Sequence, residues 1–465
     1  MDQPQRLRTS RPHIVLFLTD DHAQWASTCY GNGELCTPNL NYLAQSGARM
    51  RNAFTPSPVC SPARACLLTG LLPSQHGIHD WLDERGRAAD HPGLAGQATL
   101  GGLLRAGGYR TGLVGKWHCG RSWEPHPGFD RWFSYWKSQY PHRGDIEFSD
   151  QGRRHVAAGY QADIVTEQAV SFVRAPSDRP FLLVVGYVCT HTPHAHQPGR
   201  WAARYRECTF GDIPDEAPEP AHGFARFGWP HAPGVRRDEL VQYYAAVSHI
   251  DDQLGRVIDA LDGAGALENT LIAYVSDHGH MNGHHGLHTK GNATIPQNFL
   301  DESIRVPCLL SWPGAIPGGQ TREETVDHLD LFQTILEAGA VAAPAEAPRA
   351  GCSYLPLLRG GEAPWREAQF CEYGNARMIR TSSHKWIERG QGPNGRFPNE
   401  LYDLSQDGRE TVNLAADPAC RGTIETLSSR LRENFSRYES PGRSGWDIAS
   451  QPPCNADEPW SRTPK

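Results

Sequence analysis

Long apolar runs are missing from this sequence of 465 residues. A membrane-spanning helix needs about 20 consecutive apolar residues, whereas the clearest apolar run, Ile14–Leu18, has only the length of a strand. The N-terminus carries basic residues but no apolar stretch before a cleavage site, so we expect neither a signal peptide nor a membrane partner. We predict a cytoplasmic protein whose residues 1–12 form an unstructured tail.

An excess of either charge is also missing. The 45 basic and 52 acidic side chains give a formal charge of −7, which is ordinary for a globular protein and argues against a nucleic-acid partner. No repeat with a period of about 20–50 residues is present, which argues against solenoids and propellers. The twelve cysteines are scattered along a long chain, so we expect reduced thiols rather than a disulfide framework.

Three apolar segments end in polar residues that can bind a metal ion or a proton. They are Ile14–Leu18 before Asp20 and Asp21, Phe181–Val185 before His191 and His194, and Leu271–Val275 before Asp277 and His278. Continuous apolar runs are typical of strands buried on both faces of a parallel sheet. Ligands bind beyond the carboxyl ends of such strands, so we predict that these polar residues share one site.

Helical patterns separate the apolar segments, notably after Thr37-Pro38 and over 238–254. This alternation predicts an α/β fold whose large, mixed, mostly parallel central sheet has helices on both faces. Short strand patterns after residue 361 indicate a smaller C-terminal α+β domain with an antiparallel sheet. We therefore predict a large N-terminal domain over 13–360, a smaller domain over 361–439 and a loosely packed extended tail over 440–465.

One internal stretch, 200–233, is rich in Pro, Gly, Trp and His and lacks any periodicity. Such composition is typical of a long excursion over the surface. We predict that it shapes access to the site.

The segment Pro58–Gly70 contains a cysteine in a setting that favours reactivity. Pro62 suits the first turn of a helix, with Ser61 as its cap and Gly70 at its end. Cys60 then precedes a helix N-terminus, where unpaired N–H groups and the helix dipole stabilise an anion. Arg64 lies in the same turn and can bind anion oxygens. Cys60 is therefore a candidate low-pKa thiolate, although a buried core cysteine satisfies the same pattern.

The sequence resembles the formylglycine-dependent sulfatases of the alkaline phosphatase superfamily. The signature of that family is Cys or Ser, any residue, Pro, any residue and Arg, followed by Leu-Thr-Gly, and residues 60–64 and 68–70 match it. The likeness extends over most of the chain, through the segments Leu18–His22, Thr37–Leu40, Gly115–His118, Thr192–His194, Ser276–Gly279, Glu302–Pro307, Glu400–Leu404 and Glu410–Ala415.

This resemblance implies a hydrolase of sulfate monoesters. A separate maturation enzyme would oxidise Cys60 to formylglycine, whose hydrated aldehyde attacks sulfur, and collapse of the sulfated diol would release sulfate. The resemblance also implies catalytic roles for Arg64, Lys116, His118 and Lys290. Lys116 would contact the aldehyde-derived oxygen and the sulfate, His118 would accept the diol proton, and Lys290 would contact the sulfate.

A protonated histidine would assist departure of the alcohol as a general acid. His194 follows the proline of Thr192-Pro-His, as the resemblance implies, and is preferred for this role. His191, three residues upstream, is kept as the alternative.

The resemblance further implies one divalent metal held by Asp20, Asp21, Cys60, Asp277 and His278. Hard carboxylate oxygens favour Ca²⁺, with Mg²⁺ or Mn²⁺ as alternatives. Taken alone, two adjacent aspartates could instead cap a turn after a strand. An imidazole is a poorer calcium ligand than an oxygen, so the sequence leaves the identity of the ion open.

Four further histidines follow His278, at positions 280, 284, 285 and 288. A zinc site of the metalloprotease kind would need a glutamate between His280 and His284 on an intact helix, whereas Met281-Asn-Gly283 supplies neither. We therefore predict a polar active-site loop, with His285 and His288 near the substrate, rather than a second metal site.

The sequence leaves the substrate open. Four aromatic or basic residues outside the family motifs could stack on a sugar or bond to it, which favours a carbohydrate sulfate over an aryl or choline sulfate: Trp81, Trp136, Arg377 and His384. Two alternatives remain, a phosphonate monoester or phosphodiester hydrolase of the same superfamily and a non-catalytic anion-binding protein with unmodified Cys60. The oligomeric state cannot be read from the sequence.

Overall fold

The computed structural model describes residues 11–137, 141–214, 223–228, 230 and 232–462. Its strands are β1 (His13–Thr19), β2 (Ala48–Phe54), β3 (Arg110–Gly115), β4 (Arg131–Tyr135), β5 (Arg143–Asp150), β6 (Arg153–Tyr160), β7 (Phe181–Gly186), β8 (Phe224–Ala225), β9 (Thr270–Ser276), β10 (Thr294–Ile295), β11 (Cys308–Ser311), β12 (Gln320–Asp327), β13 (Gln369–Tyr373), β14 (Ala376–Arg380), β15 (His384–Arg389) and β16 (Glu400–Asp403). Its α-helices are α1 (Pro38–Ser46), α2 (Cys60–Thr69), α3 (Pro73–His76), α4 (Leu100–Ala106), α5 (Gln161–Arg174), α6 (Gly199–Tyr205), α7 (Pro233–Gly263), α8 (Asp301–Ile304), α9 (His328–Ala338), α10 (Leu355–Leu358) and α11 (Arg421–Tyr438).

Ten strands form one mixed sheet in the order β12-β2-β11-β9-β1-β7-β3-β4-β5-β6. The five consecutive strands from β9 to β4 run parallel to one another, whereas β11, β5 and β6 pair antiparallel with their neighbours. The predicted large, mostly parallel sheet is confirmed. Because β1 lies between β7 and β9, the three strands that end in polar residues are neighbours.

The side chains of β1 alternate between two cores, one on each face of the large sheet. Ile14, Leu16 and Leu18 face one core, and Val15 and Phe17 face the other. Helices α2, α4 and α9 cover the first face, while α1, α5 and α7 cover the second. A strand covered on both faces needs apolar side chains at every position, which explains why this segment shows no polar alternation.

A second sheet of four antiparallel strands, β13-β14-β15-β16, follows the large one in the chain, and α11 packs against β14 and β15. The predicted smaller antiparallel sheet is confirmed. The domain limits at residues 360 and 439 stay predictions, and residues 1–10 of the predicted N-terminal tail lie outside the described residues.

Several residues after 440 are buried against the rest of the protein, whereas we predicted a loosely packed tail. Trp460 is only 2% exposed and meets Tyr373 edge-on, with 5.8 Å between ring centroids. Asn455 is also buried and donates from Nδ2 to the carbonyl oxygen of Trp81 at 3.0 Å. The described part of this segment contains short 3-10 turns, whose length is too small to produce the periodicity that sequence analysis detects.

The stretch 200–233, predicted as a surface excursion, begins within helix α6, and its residues 215–222, 229 and 231 lie outside the described residues. None of the described helices combines the length and apolar character that crossing a bilayer requires. All twelve cysteines are unpaired thiols.

Candidate active site

Two neighbouring strands deliver four polar side chains to one point. Asp20 and Asp21 follow β1, Asp277 and His278 follow β9, and all four are fully buried. Asp21 has a φ of +56°, in the left-handed region that non-glycine residues seldom adopt. Backbone held in that region next to buried acids is typical of a site that fixes the direction of its ligands.

Helix α2 brings Cys60 to the same point, but its start differs from our prediction. Cys60 is the first residue of the helix, after Val59, and Ser61 does not act as a cap. The Ser61 hydroxyl instead accepts a hydrogen bond from the Leu82 backbone N–H at 3.0 Å. Gly70 ends the helix with a φ of +68°, as predicted from its lack of a Cβ. Cys60 therefore lies in the first turn, where the helix dipole favours an anion.

The acids surround the imidazole of His278. Its Nε2 lies 3.3 Å from Asp277 Oδ1, 3.4 Å from Asp21 Oδ1 and 3.7 Å from Asp20 Oδ1. Cys60 Sγ lies 3.3 Å from the same nitrogen. The other ring nitrogen, Nδ1, is 2.8 Å from the carbonyl oxygen of Gly279. Donation of Nδ1–H to that carbonyl directs the Nε2 lone pair toward the acids, an arrangement common in histidines that bind metals.

Crowding of negative charge shows in the pKa values of this cluster. Burial, together with the neighbouring Asp20, raises the pKa of Asp277 to about 7. Burial disfavours the imidazolium of His278, yet Asp277 raises the pKa of that ring to about 9. The ligand atoms of Asp20, Cys60, Asp277 and His278 all lie within 4.8 Å of one another. A cation at their centre fits this donor set, because it satisfies several anionic oxygens at once.

Two lysines pair with acids of the cluster, and Lys290 also lines the cavity. Lys116 Nζ forms an ion pair with Asp20 Oδ2. Lys290 Nζ lies 2.5 Å from Asp21 Oδ1 and 3.1 Å from Cys60 Sγ. Burial opposes ionisation of Cys60, but Lys116, Lys290 and His278 together hold the pKa of its thiol well below the ordinary value. The site therefore stabilises negative charge at position 60, as the sequence predicted from the helix terminus.

Arg64 does not point at the cavity, which differs from the anion contact that we predicted. Its Nε donates to Asp277 Oδ2 at 2.8 Å, and Nη1 donates to the carbonyl oxygen of Lys116 at 3.1 Å. The side chain is completely buried. Arg64 thus holds Asp277 in place and positions the strand end that carries Lys116.

His118 and His191 lie beside Cys60, whereas His194 does not. His118 Nε2 is 3.0 Å from the carbonyl oxygen of Leu82, and both His118 and His191 line the cavity with Cys60. His191 also groups with Asp20, Asp21 and Cys60 among residues close enough to share an ion. His194 turns away, with Nδ1 at 3.1 Å from Glu239 Oε2 and Nε2 at 3.0 Å from the carbonyl oxygen of Thr190. The geometry favours His191, which was our alternative, over His194.

Cys60 opens into a cavity of about 590 Å³. Its floor holds Cys60, His118, His191 and Lys290, and its walls mix aromatic, acidic and basic side chains: Trp81, Asp83, Arg85, Arg226, Phe227 and Asp457. Arg226 pairs with Asp457 at 3.0 Å and lies over the Phe227 ring at 4.8 Å. Arg226 and Phe227 belong to the stretch 200–233 that we predicted to shape access.

Of the four residues suggested as sugar contacts, Trp81 is the only one among the described lining residues of this cavity. Arg377 is 4% exposed and pairs with Glu439 at 2.6 Å, so it has a structural role. His384 lines a different cavity together with Arg430. Trp136 is absent from the described lining residues. Composition alone could not separate these four because it carries no information about which loops converge.

Three acidic residues around the site were not predicted from the sequence, namely Asp457, Glu239 and Asp83. Asp457 lies in a segment with no periodicity, and no motif marks it. Glu239 lies one helical turn before Tyr243 in α7, and only the fold brings it to His194. Asp83 follows Trp81 by two residues, so a search for acids around that candidate sugar contact would have found it.

Comparison with known proteins identifies the class of this fold and site. A sequence model described as Sulfatase matches residues 12–341, and one described as N-sulphoglucosamine sulphohydrolase, C-terminal, matches residues 283–437. The first match covers more than half of the chain. The chain therefore belongs to the Sulfatase family, within the alkaline phosphatase superfamily, and is a sulfuric ester hydrolase. The non-catalytic alternative is set aside.

Individual relatives agree with this assignment. The chain is 26% identical to the N-acetylglucosamine-6-O-sulfatase of Bacteroides thetaiotaomicron, over 94% of this chain and 88% of that protein. A solved structure described as a complex with its substrate D-glucosamine-2-N,6-O-disulfate has a TM-score of 0.76 at 24% identity, covering 92% of this chain and 98% of that one. The phosphonate monoester hydrolase of Agrobacterium radiobacter has a TM-score of 0.72 at 21% identity, covering 92% and 96%. These two structural likenesses show the fold alone.

Proposed function

We propose that this sulfatase hydrolyses carbohydrate sulfate monoesters through a formylglycine at position 60 and one calcium ion. The observation that carries the proposal is the convergence of Cys60, Lys290, His191 and His118 on the floor of one cavity, above the acids at the ends of β1 and β9. The named activity of the Bacteroides thetaiotaomicron relative supports a sugar substrate.

The donor set of the acid cluster supports calcium as the ion. Asp20, Asp21 and Asp277 offer carboxylate oxygens around His278 Nε2. Hard oxygen ligands of this kind favour Ca²⁺ over softer ions such as Zn²⁺. Asp20, Asp21, Asp277 and His278, with the group at position 60, would hold the ion, which would withdraw electrons from a bound sulfate oxygen.

Residues of this chain would orient the ester and balance its charge. A formylglycine at position 60 would supply the attacking hydroxyl, and Lys290 Nζ, 3.1 Å from the present Sγ, would bind an oxygen of the sulfate or of that hydroxyl. Lys116 would act through Asp20, with which it forms an ion pair. His118 would accept the proton that the second hydroxyl releases when sulfate departs.

His191 would protonate the departing alcohol. It lies on the cavity floor with Cys60, and Asp20 and Asp21 raise the pKa of its imidazole even though burial opposes that rise. A raised pKa favours the protonated form that a general acid needs. His194, engaged with Glu239 and Thr190, would have to leave both partners to reach an ester at Cys60.

The cavity walls support a sugar rather than a simple alkyl group. Trp81 and Phe227 can cover the C–H face of a pyranose ring, while Asp83 and the Arg226–Asp457 pair can accept and donate hydrogen bonds to its hydroxyl groups. Pockets for polar ligands combine apolar surface with a few placed polar groups in this way. The volume of about 590 Å³ accommodates one or two sugar rings.

The test combines peptide mass spectrometry with a substrate panel. The chain is produced with and without a formylglycine-generating enzyme, and the peptide containing Cys60 is examined for the mass loss that conversion of the thiol carbon to an aldehyde produces. Turnover is then measured on N-acetylglucosamine 6-sulfate, choline sulfate, 4-nitrophenyl sulfate and 4-nitrophenyl phenylphosphonate. We expect conversion at position 60, and the highest kcat/KM on the sugar sulfate.

Matched variants make this experiment specific. Cys60→Ala is expected to lack turnover on every ester, whereas Cys66→Ala, which removes another buried thiol of the same helix, is expected to keep it. An unmodified Cys60 peptide from fully active protein would refute the formylglycine. Preference for the phosphonate ester would transfer the assignment to the phosphonate monoester hydrolases. The cytoplasmic location stays a prediction that cell fractionation can test.

A further inference from the structure

A second group of metal-binding side chains lies next to the acid cluster. His194, His280 and His288 each offer a ring nitrogen, and these nitrogens lie within 4.8 Å of one another. Their rings are arranged nearly edge-on in a triangle, with centroids 5.2, 5.7 and 5.6 Å apart. Three imidazoles bound to one tetrahedral zinc ion place their ring centroids about 5 Å apart. The triangle therefore has the dimensions of a three-histidine zinc site.

Glu239 of α7 completes the group. Its Oε2 lies 3.1 Å from His194 Nδ1 and 3.9 Å from His288 Nε2. Ligand atoms around a tetrahedral zinc ion with bonds of 2.0–2.1 Å lie about 3.3 Å apart. A carboxylate together with three imidazoles is a donor set that zinc favours over calcium.

The bonding of His194 suits a metal ligand. Its Nε2 lies 3.0 Å from the carbonyl oxygen of Thr190, to which it can only donate. In a neutral ring, Nδ1 then carries a lone pair that faces the carboxylate of Glu239. Two acceptors at this distance repel each other unless a proton or a cation lies between them. Donation of the outer N–H to a carbonyl is the arrangement that orients histidine ligands of metals.

His280 supplies an independent observation. It is completely buried, and neither of its ring nitrogens has a hydrogen-bond partner among the described residues. Its ring stacks on Tyr243 at 5.2 Å between centroids, which holds it against the other two histidines. A buried polar side chain without a partner is costly, and a metal ion bound to one nitrogen removes much of that cost.

We propose that His194, His280, His288 and Glu239 bind a zinc ion, distinct from the ion held by the acids around Cys60. The two sites use different ligands, because Asp20, Asp21, Asp277 and His278 belong to the acid cluster and none of them belongs to this group. The sites are adjacent, since His280 Nδ1 lies 3.7 Å from Asp21 Oδ2. The spacing within 278–288, taken alone, argued against a second metal site. The fold adds His194 from after β7 and Glu239 from α7.

The zinc ion would fasten two loops that carry active-site residues. His194 lies three residues after His191, and His288 lies two residues before Lys290. Both His191 and Lys290 face the cavity. A metal bound to both loops would therefore limit how far the leaving-group acid and the sulfate-binding lysine can move apart.

The experiment measures zinc directly and does not depend on turnover. Full-length protein with Cys60→Ala is used beside the wild type, because an unmodified thiol could itself bind zinc in the acid cluster. Both proteins are stripped with a chelator, saturated with Ca²⁺, given Zn²⁺ and passed through a desalting column. Zinc is counted by elemental mass spectrometry, and affinity is measured by competition with a chromophoric chelator. We expect one zinc per chain in the Cys60→Ala protein.

Variants locate the ion. His280→Ala and Glu239→Gln are each expected to weaken zinc binding by at least about tenfold. His284→Ala, a histidine of the same loop outside the group, is expected to bind zinc like its parent. In the Cys60→Ala protein, Co²⁺ is expected to give the intense visible absorption of tetrahedral coordination, which does not rely on any substitution near the site.

Two results would overturn the proposal. One is a Cys60→Ala protein that retains no zinc in excess Ca²⁺ and shows only the pale spectrum of six-coordinate Co²⁺, in which case a proton joins His194 to Glu239. The other is zinc retained equally by the parent and by correctly folded His280→Ala and Glu239→Gln. A failure of the formylglycine assignment would change neither readout, because zinc is measured in a protein that lacks Cys60.

Discussion

Two clusters of buried charge in this molecule look similar but differ in two respects. Around Cys60, three acids and three basic side chains are paired as Lys116–Asp20, Lys290–Asp21 and Arg64–Asp277. Where the small sheet meets the large one, Asp301 and Glu410 face three basic side chains, namely Arg305, Arg380 and Lys385. Both clusters perturb the pKa values of their members, so a perturbed pKa alone does not identify an active site.

The difference lies in access and in spare bonding capacity. Asp301 forms ion pairs with Arg380, Lys385 and Arg305, each at 2.8 Å. Lys385 also donates to the carbonyl oxygen of Phe299 at 2.7 Å. The cluster around Cys60 borders the cavity and retains a reactive atom. We call the cluster around Asp301 the closed cluster and the cluster around Cys60 the open cluster. A closed cluster stabilises the fold, whereas an open one can act on a ligand.

The largest effect should come from breaking the closed cluster. Lys385→Met leaves Glu410 without its cation in a buried position, where burial already raises the pKa of that carboxyl to about 7. We expect a loss of about 3–5 kcal/mol in the free energy of unfolding, measured by urea denaturation, with kcat of the folded enzyme within about threefold of wild type. Arg437→Met, which removes an exposed pair with Glu433, should cost less than about 1 kcal/mol. Equal losses in both variants would contradict the distinction.

The open cluster should respond in the opposite way. Lys290→Met removes a cation that lies 3.1 Å from Cys60 Sγ, so we expect kcat to fall by on the order of 10²–10³-fold. The free energy of unfolding should change less than in Lys385→Met, because water from the cavity can reach the space that Lys290 leaves. Lys137→Met, at an exposed position, serves as the control. A Lys290→Met protein that unfolds early but turns over normally would show that this cluster is structural.

The choice between His191 and His194 sharpens the comparison further. His191→Ala should reduce turnover of a sugar sulfate by about 10²-fold, because an alcohol leaving group needs a proton. Turnover of 4-nitrophenyl sulfate should fall much less, because nitrophenolate leaves without one. His194→Ala should change the ratio of these two activities much less than His191→Ala does. If His194→Ala changed the ratio of the two activities and His191→Ala did not, His194 would be the general acid, as we first predicted.

The smallest effect concerns pH and stability. Burial opposes ionisation of Glu302, but the hydrogen bond from His285 lowers the pKa of Glu302 from 4.5 to about 2. A carboxyl with a lowered pKa contributes stability above pH 4.5, and this contribution is lost as the pH falls toward 2. Glu302→Gln should lower the free energy of unfolding by about 1.5–3 kcal/mol at pH 6. Between pH 4.5 and pH 2, the free energy of unfolding of this variant should fall less than that of wild type. The exposed variant Glu323→Gln should match wild type at every pH, and a parallel decline in Glu302→Gln and wild type would refute the linkage.

Local signals in the sequence were sufficient for the sheet and for the acid cluster. The strands β1, β7 and β9 are buried on both faces, so their apolar runs are continuous and identify them without any alignment. Ligands follow the carboxyl ends of such strands for a topological reason, and Asp20, Asp21, Asp277 and His278 met as expected. Residues 60–70 form the expected helix, with Cys60 in its first turn.

Only the tertiary structure decided which loop residues meet. Thr192-Pro-His allowed either His191 or His194 to face Cys60, because chain direction after β7 is set by packing rather than by local pattern. The anchoring of Trp460 against Tyr373 carries Asp457 to the cavity, and neither residue belongs to a periodic segment. The four ligands of the proposed zinc site come from three separate parts of the chain, so no spacing within one segment could reveal them. The local sequence pattern determines the secondary structure of a segment, and long-range packing determines which side chains that segment contacts.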